Sequence, residues 1–592
     1  MGYVWHHADI FYRFMRRFKQ GRKIHSAGKV RKDMDDSIQK LKKIYKSPAL
    51  VKVFGWSRCV HSKILLICIL RVISVFCSLG ITLVTKELID AAIASHMDKL
   101  WYYGVLLLVL TLIVIGIGFL LSLLQTYASA KLERSLHRMI AEALLNKTYA
   151  NLRGYHSGEL INRFFSDGSV VCDGALGILP GIVSLLVSFL GAASILIVLD
   201  WQFVILLACA GVIGLVIVIM FRNPMKKRHK RMQKAEDRLY SVVQETFENI
   251  RLIKASISEK RILKQIGMRQ SAMEEEQIRQ GKFSAVMNNS MGMIFDLSWL
   301  ICMLWGCTAI YHGELTYGSL AAMIQLIGRV QGPIAGAVSI AGEAYRVISS
   351  AERIMEVTDL PEEEPGEPLS DFDEILMKNV SFRYDDGVED VLSGVSCSIQ
   401  KGDFVALTGM SGGGKTSLFY LLLGIYMPNT GEVLFRCGSD EIHAGSGTRK
   451  LFAYVPQGNT LFSGTLRENL TMFTDEATEE EIQNAIQAAC IDDLISEIGL
   501  DAEIGERGAG LSEGQAQRIA VARALLMRAP ILLLDESTSA LDEETEGSML
   551  KNISKMRDKT CLIVTHRKAA LSICDYRLHI EDGYITRETT KL

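Results

Sequence analysis

The sequence lacks most of the features that would place it quickly. Over 592 residues the formal net charge is −1, so no global field argues for nucleic acid or an acidic partner. Its twelve cysteines are scattered singly; no pair has metal-ligand spacing and no disulfide framework is apparent. Cys68, Cys77, Cys209, Cys302 and Cys307 lie in apolar runs, where cysteine acts as a small hydrophobe. The first residues contain no short apolar stretch with a cleavage site, which argues against a signal peptide. His6 stands where a myristoylation signal after Gly2 needs Ser or Thr. What the chain has in plenty is apolar surface: 49% of residues are hydrophobic and 22% charged.

That average hides two unlike halves. The length alone calls for more than one core. Long apolar stretches recur from about Lys63 to Met355, and beyond about Glu362 the composition is that of a soluble α/β domain. Residues 1–47 form a basic extension. Phe11, Phe14 and Phe18 repeat at helical spacing among Arg13, Arg16, Arg17 and Lys19. They read either as a helix lying on an anionic membrane surface or as a disordered basic tail. Either way, the charge places this end in the cytoplasm.

A transmembrane domain is expected over 48–360. Its spans run from about Lys63 to Val84, Trp101 to Leu124, Leu176 to Leu199, Phe203 to Met220, Ala285 to Tyr311 and Tyr317 to Ile340. Each is long enough for the ~30 Å apolar layer. The first, third and fifth connections are short. The second and fourth (about Ser129–Val170 and Arg222–Ser284) are long, with basic segments Lys131–Arg138 and Lys226–Arg238 that belong in the cytoplasm. Helices two to five should therefore continue past the bilayer as stalks. A linker over 361–370 (PEEEPGEP) follows, and 371–592 forms the second domain.

The strongest local signal is Gly409-Met-Ser411-Gly412-Gly413-Gly414-Lys415-Thr416. It follows the apolar strand Phe404–Leu407 and opens a helix at Ser417, as a P-loop does. Its glycines let backbone N–H groups wrap phosphates at a helix N-terminus. Lys415 would contact the β- and γ-phosphates of ATP and Thr416 would ligate Mg²⁺. A second apolar strand, Ile531–Leu534, ends in Asp535-Glu536. Asp535 would hold Mg²⁺ through water, and Glu536 would polarise the attacking water.

Leu511-Ser512-Glu513-Gly514-Gln515 resembles the signature of the ATP-binding cassette (ABC) family, with Glu513 where that family usually has Gly. Other positions resemble family motifs in the family's order. Tyr384 matches the aromatic that stacks on adenine, and Gln457 the glutamine that senses Mg²⁺ and the membrane domain. Ser539-Ala-Leu-Asp542 matches the loop joining two sites, and His566 the histidine that contacts the γ-phosphate. Gly505–Gly508 resembles the exporter cross-linking loop. The resemblance implies ATP sandwiched between the P-loop of one subunit and the Ser512, Gly514 and Gln515 region of another, so a dimer is required.

The membrane half resembles exporter-type subunits of that family. His156–Arg163 looks like their first cytoplasmic loop, Glu245–Ser256 their second and Gly313–Gly318 their link into helix six. Leu152–Gly158 and Asn249–Lys254 are the expected coupling contacts. Asp296 and Arg329 are intramembrane charges at similar depth and either pair or separately face a cavity; Arg71 reads as snorkelling. The fold expected is thus multi-domain: an all-α six-helix transmembrane domain followed by an α/β P-loop ATPase domain. The function expected is ATP-driven export of a drug, lipid or peptide by a homodimer or heterodimer in lipid, in a bacterial plasma membrane. An importer on the same fold and an ATP-gated regulator are the alternatives.

Overall fold

The computed structural model describes residues 47–589 except 385–386, 388, 459, 475 and 557–558. The expectations for the basic extension lie outside these residues. By internal contacts the chain divides into two units. One holds the residues up to Leu144 together with Ser157–Asp359; the other holds Leu145–His156 together with the chain from Leu360 onward.

The first unit is helical. Helices α1 (Pro48–Trp56), α2 (His61–Ile93) and α3 (Met97–Leu145) lead to the short α4 (Tyr149–Leu152) and α5 (Ser157–Asn162). Then come α6 (Gly168–Leu199), α7 (Trp201–Glu248), the short α8 (Ile250–Ala255), α9 (Glu259–Tyr311) and α10 (Tyr317–Thr358). Each of the six expected spans falls inside one long helix. Among the described residues four stretches are long and apolar enough to cross a membrane: Pro48–Ile93, Met97–Leu145, Ser157–Leu199 and Glu259–Tyr311. The 49 residues of α3 rise roughly 70 Å at 1.5 Å each, more than twice the thickness of the ~30 Å apolar layer.

Polar groups pin the ends of these helices. Asp200 caps α7, accepting from the amides of Gln202 and Phe203 at 2.9 and 3.1 Å, and also takes the Trp305 indole N–H at 2.7 Å. Asp90 of α2 caps α10, accepting from Gly318 N at 2.9 Å and Thr316 Oγ1 at 2.8 Å. Only glycine fits at 318, because an added Cβ would run into the Lys86 carbonyl and the Asp90 carboxyl. Between α5 and α6 a π-turn, Arg163–Asp167, sets the buried Asp167 against Arg353 of α10, whose Nε donates at 2.9 Å. Arg329 and Asp296 form no ion pair with each other; Arg329 instead donates to Ser78 Oγ of α2 at 2.7 Å.

The second unit contains two large sheets and a two-stranded one, β7 (Gly464–Thr465) paired antiparallel with β8 (Glu503–Ile504). Strands β1 (Glu374–Phe382), β2 (Leu392–Gln400), β4 (Thr430–Cys437) and β5 (Asp440–His443) form an antiparallel sheet in the order β2-β1-β4-β5. The larger sheet has the order β12-β11-β3-β10-β9-β6. It comprises β3 (Phe404–Gly409), β6 (Phe452–Val455), β9 (Ile531–Asp535), β10 (Thr560–Val564), β11 (Tyr576–Glu581) and β12 (Tyr584–Thr589). All pairings in it are parallel except β11–β12. Strands β3, β9 and β10 are buried along their whole length, as parallel strands covered on both faces must be. On one side sits a core including Phe419, Leu422, Leu533 and Val564. On the other, Leu532, Leu534 and Ile563 meet α13 (Glu479–Ala488) and α15 (Glu513–Leu526).

Candidate functional site

The sheet brings the sequence-predicted residues to one edge. In parallel α/β sheets, ligand sites form beyond the C-terminal ends of the strands. Here four adjacent strands, β3, β10, β9 and β6, end respectively in the P-loop, His566, Asp535-Glu536 and Gln457. Register keeps these ends level: Val564 pairs with both Leu407 and Asp535, and Val455 with Leu534.

The P-loop turns from β3 into α11 (Lys415–Leu422). Gly409, Gly412 and Gly414 have φ of +142°, +81° and +97°, a region that L side chains rarely enter. At Gly414 a Cβ would also lie 2.9 Å from Val391. Ser411 is exposed beside Gly412, and Gly413 follows with its amide bonded to Met410 O. Lys415 is buried, its Nζ donating to the carbonyls of Gly409 and Met410 at 2.8 and 2.9 Å. Thr416 Oγ1 donates to Asp535 Oδ2 at 2.8 Å, and Ser417 Oγ lies 2.8 Å from the Tyr384 hydroxyl.

Asp535 is buried at the end of β9. Burial pushes its carboxyl above the usual range; the Thr416 hydroxyl pulls it back and the Glu536 charge raises it again. Glu536 is held by Gln457, whose Nε2 donates to Oε2 at 2.7 Å. It sits at φ +50°, which for a non-glycine residue stores of order 1–3 kcal/mol. Such strain collects where a side chain must be aimed. The Thr416 hydroxyl and the Asp535 carboxylate are a hard-oxygen pair of the kind Mg²⁺ takes alongside phosphate oxygens, so the residues fit that ion.

Tyr384 is gripped from several sides. Its ring meets Phe382 and Tyr426 edge-on, at 4.8 and 5.3 Å between centroids. The guanidinium of Arg153 lies 4.3 Å from its centroid. Arg153 follows α4, in the loop that belongs to this unit by contact, and Tyr149 of α4 meets Tyr426 edge-on at 6.0 Å. Of the two expected coupling stretches, the first thus begins inside this aromatic cluster.

Ser512, Gly514 and Gln515 are placed elsewhere. Ser512 caps α15 through a reciprocal box: Gln515 N donates to Ser512 Oγ at 3.2 Å and Ser512 N to Gln515 Oε1 at 2.8 Å. Glu513 opens the helix without a left-handed φ, and an acidic first turn suits the helix dipole; its replacement of Gly strains nothing. These residues, with Arg518 and Ala540–Asp542, line a cavity of about 490 Å3 that has no P-loop residue in its wall. One chain therefore presents two separate half-sites.

Sequence reasoning missed the brace beneath this surface. Gln517 takes the Ala540 amide at 3.1 Å and donates to Ser539 Oγ at 3.2 Å. Arg567 donates to the carbonyls of Ser539 and Leu541, both at 2.6 Å, and to the fully buried Glu546 at 3.0 Å. Glu546 also accepts from Thr538 at 2.7 Å. The loop 539–542 is thus tied to the residue after His566. Only the adjacency of Arg567 to His566 could have pointed to it.

Comparisons with known proteins agree with this geometry. Residues 64–334 match the family model described as ABC transporter transmembrane region, and residues 392–539 the one described as ABC transporter. The "Putative multidrug export ATP-binding/permease protein YgaD" of Bacillus subtilis (strain 168) is 30% identical over 447 residues, 74% of this chain and 76% of that protein. The "Uncharacterized ABC transporter ATP-binding protein YfiB" of the same organism is 27% identical over 522 residues, 86% of this chain and 89% of that one. Among solved structures, a bacterial Atm1-family ABC exporter with ATP bound superposes with a TM-score of 0.77, covering 90% of this chain and 95% of that one at 20% identity. That likeness bears on the fold.

Proposed function

The chain belongs to the ABC transporter family, as an integral membrane protein whose membrane and ATP-binding regions are fused, and from that premise we propose that it exports its substrate by ATP-driven alternating access. The carrying observation is the intact constellation at the strand ends: Thr416 bonded to Asp535 and Glu536 bonded to Gln457, in a chain that also spans the membrane. The relatives named for multidrug export support the outward direction.

In this reading Tyr384 stacks on adenine, and the amides of Gly409, Ser411, Gly412, Gly413 and Gly414 hold phosphate oxygens at the mouth of α11. Lys415 exchanges its two carbonyl partners for the β- and γ-phosphates. Thr416 and Asp535, assisted by Gln457, would hold Mg²⁺, which when bound neutralises developing phosphate charge. Glu536, aimed by Gln457 and by its own strained backbone, orients the attacking water as general base. His566 contacts the γ-phosphate. The partner's copy of the Ser512, Gly514 and Gln515 surface closes the site from the other side. Since every position is present in this chain, two copies form a complete pair of sites, and we favour the homodimer. Six spans, a cytoplasmic ATPase unit and a bacterial plasma membrane complete the proposal.

The test is Mg²⁺-dependent ATPase activity of the purified chain in lipid, with oligomeric state recorded. Glu536→Gln should lower turnover by about a hundredfold or more, the worth of a positioned general base. A wild-type homodimer without turnover would refute the self-sufficient ATPase.

A further inference from the structure

Arg329 lies in the sixth expected span, twelve residues from its outer start at Tyr317. At ~1.5 Å per residue that is ~18 Å of depth, beyond what a side chain can snorkel. A cation kept there is costly and points to a bundle interior or a wet cavity. Its recorded partner is neutral, Ser78 Oγ at 2.7 Å, and among the described residues it forms no ion pair. Asp296, the acidic residue at similar depth, is exposed. A second guanidinium, Arg71, lies on the same face of α2 as Ser78, seven residues before it. Its Nε is shut from solvent without a hydrogen-bond partner.

The face of α10 around Arg329 is open. Gln325, Gly328, Arg329 and Gly332 fall at the spacing of one helix face. Gln325 is exposed, and a Cβ added at Gly328 or Gly332 would meet nothing within 4 Å. By contrast, Gly336 one turn further is packed against Leu185. The guanidinium therefore borders room, with one N–H held by Ser78 and others in its planar fork left for a ligand.

We propose that this face of α10, with Ser78 of α2, recognises an anionic group (carboxylate, phosphate or sulfonate) on the transported molecule. The inference rests on the transporter reading above. Arg binds such groups through paired, charge-assisted hydrogen bonds, and a ligand anion supplies the counter-charge that the helices withhold. The two glycines leave space for the body of the ligand.

Binding measured without ATP tests it. N-dansyl-leucine and its methyl ester share size and greasiness and differ in charge. With the purified chain in phosphatidylcholine nanodiscs, the acid should bind about tenfold or more tighter than the ester, the worth of one charge-assisted bond. Arg329→Gln should erase that preference and Arg329→Lys keep part of it. Should Arg329→Gln fail to insert, Gly332→Leu, which fills the open face, should weaken the acid by about tenfold or more. Equal binding of acid and ester by the wild type, no binding of either, an anion preference that survives Arg329→Gln, or acid binding undiminished by Gly332→Leu overturns the proposal. Adding phosphatidylglycerol to the nanodiscs names the source. Competition with the acid supports a lipid headgroup, and indifference supports a soluble organic anion. Because no ATP is present, a failure of the ATPase reading would show separately.

Discussion

Asp535 is held in a conflict between burial and its hydrogen bond from Thr416. Its carboxyl is raised first by burial, against the pull of the Thr416 hydroxyl. A carboxyl whose folded pKa is raised contributes stability in full below the ordinary carboxylate range, and loses it as pH rises through the folded value. Ionising this carboxyl therefore costs more in the folded protein than in the unfolded chain. Asp535→Asn should therefore melt at a higher temperature than wild type at about pH 7.5, with the difference closing toward about pH 4. The same change should cost Mg²⁺-dependent turnover about a hundredfold or more. Thermal melts across pH beside an ATPase assay check both, and a variant that melts lower at neutral pH would refute the strained-charge account. Asp535, Glu536 and the P-loop were legible because their chemistry sits in contiguous residues behind an apolar strand. Gln517, Glu546 and Arg567 were not, because what makes them matter is a partner 21 to 23 residues away. Depth alone leaves open whether Asp296 and Arg329 pair or separately face a cavity, because depth says nothing of azimuth; in the structure Arg329 reaches Ser78 on α2.

Between elements, glycine rather than charge sets the approach of α6 to α10. Gly174, Gly177 and Gly181 lie along one side of α6. A Cβ at Gly174 would run into Val347, at Gly177 it would come 3.1 Å from Glu343 Oε1, and at Gly181 3.0 Å from Ile340 Cδ1. Small residues let membrane helices close on one another where no hydrophobic force drives them together. Gly174→Leu should cost about 1–3 kcal/mol by overpacking, read as a lower melting temperature in detergent. Gly104→Ala, inside α3 with nothing within 4 Å of its added carbon, should not destabilise and should gain up to about 1 kcal/mol from helix propensity. Equal effects at the two positions would mean that the seam is not packed as described. The helices were readable from hydropathy and the spacing of these glycines was in view, but their partner helix is more than 150 residues away in sequence. A one-dimensional pattern shows which face is small and leaves open what presses on it.

At the scale of the whole molecule, each chain carries one P-loop half-site and one Ser512 half-site with separate walls. If the two halves that make a working site come from different chains, mixed dimers must behave in a way that no single-chain site can imitate. Take one chain with Lys415→Ala and a differently tagged chain with Ser512→Arg, and purify the mixed dimer through both tags. One site then holds both defects, while the other joins a sound P-loop to a sound Ser512 surface. Turnover should recover toward about half of the wild-type rate if sites act independently, although each mutant homodimer is inactive. Now place both changes in one chain and pair it with wild type. Every site assembled across the interface contains one defect, so this dimer should be inactive. Sites completed within one chain would reverse the result: the first mixture would be dead and the second half active. Ser512 is exposed but caps α15, so its variant is checked for stability by a melting curve. Lys415 is buried, so its variant needs a melting curve beside the assay. The ratio of the two mixtures, each taken relative to a wild-type dimer purified in the same way, decides the geometry whatever the absolute rate.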